Sequence, residues 1–551
     1  MKPPEYNLLD EPWIPVQLLD GTITEVGLLE LLQRSTDIAD LACELPTQNI
    51  AIQRLVLAVA YRVATPLDAE AWAAQWDHGA PTEEMAEYLE KWRDRFYLFG
   101  GQYPFMQVAD LHTANNETKP LHVIIEGVPK EEKRLFSTRH GSAIERITAA
   151  DAARWLVHVQ AYDSSGIRSG AVGDAKLSGG NGKPIGPAWC AQLGIIWLKG
   201  QNFDETIVLN LIPSDSANLY GGDNFSSWGA CSWEKKDPWT STREDYSILS
   251  AKGKAKPEKL SIPRLLTWQS RRVRLLGDST GVDRVVLCQG DKLTSDGMNQ
   301  YEPQSLWYRK PKDVYSARLF SPGRALWRNL PGILSPQING ADKGVPGAVV
   351  QSATLSFHHC LNLDEVSTQF PVRMCVQAVG VSFGNKNKTD YEDIYFDELV
   401  LSTVLLLEGY PSLVAEIKKQ VDRVEKVAQN IGLFASNLAL AAGDSSNKAG
   451  YGARDRAKER FFSIVDDPFR AWIMKVDGQL SAQEVGHTWE RQLHHYAIEL
   501  KKELIADASS SSFIGRRIGD RFMNVAIAES IFDSKLRQIL PKTDNKREGM
   551  K

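Results

Sequence analysis

Cysteine is scarce and scattered: six residues in 551, at positions 43, 190, 231, 288, 360 and 375, with no C-x-x-C pair. That spacing argues against a disulfide framework and against a zinc site built from cysteine pairs. It fits reduced thiols in a cytoplasmic protein. Long apolar runs are missing too. The strongest, residues 400–407 and 55–60, fall far below the roughly 18 residues of a membrane span. The opening Met1-Lys2-Pro3-Pro4-Glu5 has no apolar core of a secretory signal, so no membrane role is expected. No internal repeat is visible. An apolar fraction of 43% and a charged fraction of 24% exclude global disorder, and a chain this long buries a large core without metal or disulfide help.

Net charge is only −5, but it is unevenly placed. Residues 251–330 hold 16 Lys and Arg against 7 Asp and Glu, a local +9 that leaves −14 for the rest. A basic block inside an acidic chain suggests a face for an anion, nucleic acid first. The bland alternative is a charged surface neutralised by acidic neighbours in the fold.

The pattern predicts an α+β protein with a large mixed N-terminal domain over 1–392, a four-helix bundle over 393–540 and a disordered tail over 541–551. Residues 50–60 predict a buried helix and 82–96 an exposed amphipathic one. Residues 163–186 contain seven glycines and read as loop. Apolar, β-branched runs at 193–198, 206–212, 284–288 and 372–379 read as strands. Four helical stretches follow, at 397–429, 454–476, 481–506 and 512–540. The third is the clearest, with Val485, Trp489, Leu493, Tyr496, Leu500 and Leu504 in one stripe. Ser481 and Glu484 form a capping box at its start. Short links between amphipathic helices imply antiparallel neighbours.

Motifs for catalysis are incomplete. Gly380-Val381-Ser382-Phe383-Gly384 matches G-x-S-x-G, but the residues after it are turn-like where a nucleophile elbow needs a helix. The histidines that would complete a triad, His487, His494 and His495, lie on the bundle. His358-His359-Cys360 are consecutive and, on a strand, would point to opposite faces; His487 and His494 are two helical turns apart. No metal is expected. The glycine run 179–186 lacks the Ser or Thr of a phosphate loop, since Pro184 follows Lys183. No cofactor is expected either. Glycine does offer close backbone approach and exposed N–H donors, although a plain surface loop is the simpler reading.

Two features suit nucleic acid better. Trp307-Tyr308-Arg309-Lys310-Pro311-Lys312 interleaves rings with cations, the chemistry of stacking and phosphate neutralisation. Asn385-Lys386-Asn387-Lys388 places amides and ammonium groups on a turn that can enter a groove. Each has a plain alternative, a solvated strand end and an ordinary hairpin tip.

Four segments, in order, carry a family resemblance. NLLDEPWIPV at 7–16, YPFMQ at 103–107, LFSTR at 135–139 and SPGRALWR at 321–328 resemble the large subunit of the type I-E CRISPR surveillance complex Cascade, the CasA family. The resemblance spans essentially the whole chain, including the passage from a mixed region to a helical bundle. It implies a non-enzymatic subunit that reads a protospacer-adjacent motif (PAM) in the duplex minor groove, helps open the duplex and docks a helicase-nuclease. Base pairing with the guide then reads the target. The implied partners are the other Cascade subunits, the CRISPR guide RNA, double-stranded target DNA and that nuclease.

Family PAM readers are a glycine loop, a lysine finger and a hairpin wedge. On this chain the resemblance places them at Gly166, Arg168, Ser169 and Gly170; at Arg309 or Lys310; and at Asn385, Lys386 and Asn387. It assigns the guide-RNA handle to Phe136, Thr138 and Arg139, the ring stacking and the guanidinium meeting phosphate. The wedge here lacks the glutamine usual in the family. A minor-groove reader separates base pairs poorly, so several PAMs should be tolerated. The competing readings are a serine hydrolase built on Ser382 and a generic nucleic-acid-binding scaffold.

Overall fold

The helix Pro46–Ala64 shows how the first half of the chain folds. Its sequence is mainly apolar, with Pro46 at the first turn, and residues Ile50 to Tyr61, Gln53 and Arg54 included, are all buried. A helix of that kind must be wrapped by other elements. In the computed structural model it packs against the helices Thr82–Lys91, Ala149–Tyr162 and Ile262–Leu266. The structure describes residues 5–125, 144–219, 229–237, 239–243, 245–246, 260–311, 314–334, 349–361, 370–384, 386–389, 391–407, 409–444 and 450–541.

The chain divides into two compact units, Met1–Arg324 with Ser335–Glu398, and Ala325–Leu334 with Leu399–Lys551. In the first unit, small sheets surround the central helices. Ile14–Leu18 lies between Ile23–Val26 and Ile38–Leu41, antiparallel to both. Arg271–Asp278 and Gly281–Gln289 form a long hairpin, extended by the two-residue strands Arg168–Ser169, Asn181–Gly182 and Lys119–Pro120. Arg373–Phe383 runs between Tyr391–Ser402 and Ile195–Lys199, and Trp307–Arg309 lies between Tyr315–Ala317 and Val349–Val350.

One strand expected from the sequence is a helix. Residues 206–212 look β-like in isolation, but the helix Phe203–Leu209 covers most of them. Asn202 caps it by accepting from the Glu205 N–H, with Asp204 and Glu205 in the first turn. Those N-terminal signals outweigh the β-branched run. His358 and His359 end the helix Ala353–His359, so the argument from strand geometry does not apply to them. Among the described residues, no group of three or more His, Cys, Asp and Glu is placed to hold a metal ion.

The second unit is helical: Pro411–Ala442, Tyr451–Ile473, Ala482–Ala506 and Val525–Ile539. Its core stacks Trp472 on Trp489 at 5.3 Å, with Phe469 edge-on to Trp489 at 5.0 Å. The Ser481–Glu484 capping box is present. Val485, Trp489, Leu493 and Leu500 are buried, whereas His494 and His495 are exposed. The first helix starts later than its apolar run suggests. Residues 397–402 continue the strand Tyr391–Ser402, and Pro411, after Gly409, opens the helix. The last stretch is also interrupted. The hairpin Arg516–Ile518 with Arg521–Met523 precedes the helix that Asn524 caps.

The SPGRALWR motif is structural in its second half. Trp327 stacks on Phe469 at 4.2 Å and donates from Nε1 to Asp466 at 2.6 Å. Arg328 lies 3.5 Å over the Phe462 ring and pairs with Glu425 at 2.8 Å. Among the described residues, no single helix is long and apolar enough to cross a membrane.

Candidate nucleic-acid interface

The glycine-rich segment is pinned at both limbs. Arg168 and Ser169 pair with Gly182 and Asn181, and Ser169 aligns with Cys288 on the long hairpin. Gln289 bridges the limbs, donating to the Gly166 carbonyl at 2.7 Å and the Gly182 carbonyl at 3.4 Å. Gly170 is required by space, since a Cβ there would lie 2.2 Å from the Gly180 carbonyl oxygen. What this leaves on the outside is backbone, the exposed Ile167 side chain and the open turn at Gly179 and Gly180.

Arg168 turns inward. Its guanidinium holds both oxygens of Asp163, at 2.9 and 2.8 Å, and the Ser164 carbonyl at 3.1 Å. Buried Arg271 binds the same carboxylate and also donates to Ser164 O at 2.8 Å and Gly186 O at 3.0 Å. Burial pushes the Arg271 pKa below its ordinary value, and Asp163 opposes that shift. Two guanidiniums on one carboxylate thus brace the start and end of the loop. Arg168 is the bond that holds the turn, and its charge is partly spent internally.

The hairpin tip joins this loop. The Ser165 N–H donates to the Lys388 carbonyl at 2.8 Å. Lys388 adopts a left-handed backbone with φ 55°, which turns the chain between Arg373–Phe383 and Tyr391–Ser402. Lys386 and Asn387 stand exposed just before it, whereas Asn385 lies outside the described residues. Burial lowers the Lys388 pKa, and nearby Asp296 offsets part of the effect.

Asp296 also reaches the third element. The Lys310 ammonium pairs with it at 3.3 Å, and the Lys310 N–H closes a turn onto Val314 O at 2.6 Å. Tyr308 is partly exposed under the Arg318 guanidinium at 4.9 Å. Arg309 is half-buried on the strand Trp307–Arg309. Fully buried Glu302 pairs with Arg54 at 2.8 Å and accepts from Trp189 Nε1 at 3.0 Å. The glycine turn and the hairpin tip are therefore joined at Lys388, and the aromatic-cationic arm is held by Asp296, which the sequence did not single out.

The basic block is not one continuous face. Arg271 and Arg272 are buried, Arg272 on Asp291 at 2.7 Å, while Arg284 donates to Thr118 and Arg328 to Glu425. Much of the local +9 is consumed inside the fold. Phe136, Thr138 and Arg139, the expected guide-handle residues, lie outside the described residues. Ser382 sits on a strand followed by a turn and another strand, and its buried Oγ has no hydrogen-bond partner among the described residues. A nucleophile elbow needs a helix there.

Comparisons with known proteins agree on one family. The family model described as CRISPR-associated protein Cse1 matches residues 7–500. The chain is 32% identical over 287 residues to the CRISPR-associated protein CasA/Cse1 of Thermus thermophilus, an alignment that spans 50% of each protein. The crystal structure of Thermobifida fusca Cse1 superposes with a TM-score of 0.85 at 32% identity, covering 98% of both chains. A chain of a solved CRISPR RNA-guided surveillance complex shares the fold, with a TM-score of 0.67 at 16% identity over 98% of this chain and 100% of that one.

Proposed function

Because the chain belongs to the CRISPR-associated protein Cse1 family, that of the large type I-E Cascade subunit, we propose that it is the PAM-reading subunit of an RNA-guided surveillance complex. In this reading it binds the guide RNA together with the other Cascade subunits and engages the minor groove beside the target. It then helps separate the strands and recruits a helicase-nuclease once the target is paired. The chain itself performs no bond-making step.

The observation that carries the reading is the hydrogen bond from the Ser165 N–H to the Lys388 carbonyl, which joins the glycine turn to the hairpin tip. The backbone of Gly166, Ser169 and Gly170 approaches the groove, with Arg168 holding the turn from behind. Arg309 and Lys310 meet phosphate or a groove edge. Lys386 with Asn387 is the wedge, alongside Asn385. A cationic tip acting on a base step spends contact energy on unstacking, as groove-inserting proteins do. Phe136, Thr138 and Arg139 are assigned to the guide handle on the family resemblance.

The direct test is duplex binding by the assembled complex with Arg309→Ala and Lys310→Ala together. Affinity for target duplex should fall about tenfold or more, with a shallower salt dependence. Unchanged affinity and slope would remove this arm from the interface.

A further inference from the structure

The turn over residues 112–120 runs beside the glycine-rich segment and is fastened to it. The Val172 N–H donates to the His112 carbonyl at 3.0 Å, and Thr113 pairs with Ala171. Its far limb, Lys119–Pro120, pairs with Arg284 and Val285 on the long hairpin. Within the turn Asn116 adopts a left-handed backbone, φ 52°, and the Glu117 N–H donates to Thr113 Oγ1 at 2.7 Å. Glu117 is thereby set against Ser169. The Ser169 hydroxyl donates to Glu117 Oε2 at 2.8 Å in a solvent-exposed pair, and Lys119 Nζ binds Oε1. Arg168 faces inward to Asp163, so alternation along Arg168–Ser169 sends Ser169 to the opposite side.

Charge fixes the direction of the Ser169 hydrogen bond. An ionised carboxylate only accepts, and the bonds from Lys119 and Ser169 hold the Glu117 carboxyl below its ordinary range. The hydroxyl proton is therefore committed, and Ser169 Oγ makes no other hydrogen bond among the described residues. What it offers a ligand is a lone pair. Such an acceptor separates base pairs in the minor groove, where A·T and T·A present only acceptors and G·C adds the guanine 2-amino donor. Lys119 offsets the repulsion between the carboxylate and phosphate. Exposed Arg284, donating to Thr118 Oγ1 at 3.0 Å, adds a second cation.

We propose that Ser169 selects a G·C pair at one position of the flank by accepting from the guanine 2-amino group. Glu117 is the positioning residue that keeps the lone pair available. This selection rests on the PAM-reading role proposed for the glycine turn and adds the base pair it favours. A hydroxyl free to rotate would serve either kind of pair. One tied to a carboxylate cannot face an A·T acceptor without breaking a charge-assisted bond.

The test uses the assembled complex on duplexes with a randomised three-base flank, then two base analogues at the selected position. Inosine removes the 2-amino group of guanine, and 2,6-diaminopurine adds one to adenine; both leave the major-groove edge unchanged. Wild type should bind inosine about fivefold more weakly than guanine, and diaminopurine about fivefold more tightly than adenine. Ser169→Ala should abolish both differences. In Glu117→Gln, Lys119 retains the amide oxygen, so the amide nitrogen donates to Ser169 and turns the hydroxyl proton outward. Preference should then move to A·T with the melting temperature of the chain retained. A wild-type complex that selects flanks but ignores inosine would overturn this selection and leave PAM reading standing. So would a Glu117→Gln complex with the wild-type preference. A wild-type complex blind to every flank would overturn both.

Discussion

The backbone N–H of Ser165 donates to the carbonyl oxygen of Lys388 at 2.8 Å, so one hydrogen bond ties the glycine-rich turn to the hairpin tip. The two segments are more than 200 residues apart in sequence, yet neither can shift without disturbing the other. The left-handed backbone at Lys388 keeps that carbonyl aimed inward while Lys386 and Asn387 face out.

If the tip is a wedge, Lys386→Ala will impair opening of an intact duplex more than binding to a duplex opened beforehand. A deficit of about tenfold on the first substrate and little on the second is expected, because the lost work is unstacking. Matched titrations on the two substrates measure it. Equal losses would refute the wedge role.

Arg168 separates holding from contacting. Arg168→Ala removes the bonds to Asp163 and Ser164 and should lower stability by about 1.5–3 kcal/mol. The salt slope of DNA binding should stay the same, whereas losing one phosphate contact would reduce it by about 0.9. Denaturant melts and binding at several salt concentrations distinguish the two.

Gly170→Ala places a methyl 2.2 Å from the Gly180 carbonyl oxygen. The limbs must separate, at about 1–3 kcal/mol, and flank-selective binding should fall with them. Gly179→Ala is the control: its φ is +61°, but nothing lies within 4 Å of the added carbon. It should cost about 1–2 kcal/mol of backbone strain and leave flank selection intact.

Two buried histidines make the fold acid-sensitive. Burial lowers the pKa of His158 to about 3 and that of His358 to about 4, from an ordinary 6.5. The unfolded chain therefore takes up protons that the folded chain refuses. Their contribution is complete above pH 6.5 and is lost as pH falls toward those lowered values, with a slope approaching ~1.4 kcal/mol per pH unit for each histidine. Urea melts at pH 7, 6 and 5 should show His158→Gln flattening this slope by about one proton. An unchanged slope would show that His158 does not carry it.

Local signals gave much of the fold. The Val485 to Leu500 stripe, the Ser481 capping box and the buried helix over residues 50–60 each form where elementary patterning puts them. The misreadings came from competing local signals. Asn202 and its acidic first turn made a helix of a β-branched run, and Pro411 delayed a helix whose apolar content began earlier. The site was legible as exposed segments but not as an assembly. Asp163, Arg271 and Gln289 act through partners distant in sequence. The basic block misled for the same reason, since a buried Arg271 reads like a surface one until its carboxylate is located.

The central claim is PAM reading, and its most direct measurement uses labelled duplexes carrying a randomised three-base flank. They are bound to the reconstituted RNA-guided complex with and without this chain, and the retained flanks are sequenced. The account predicts a restricted but tolerant set of flanks, enriched only when the chain is present. Flank-blind binding, or the same enrichment without the chain, would contradict it.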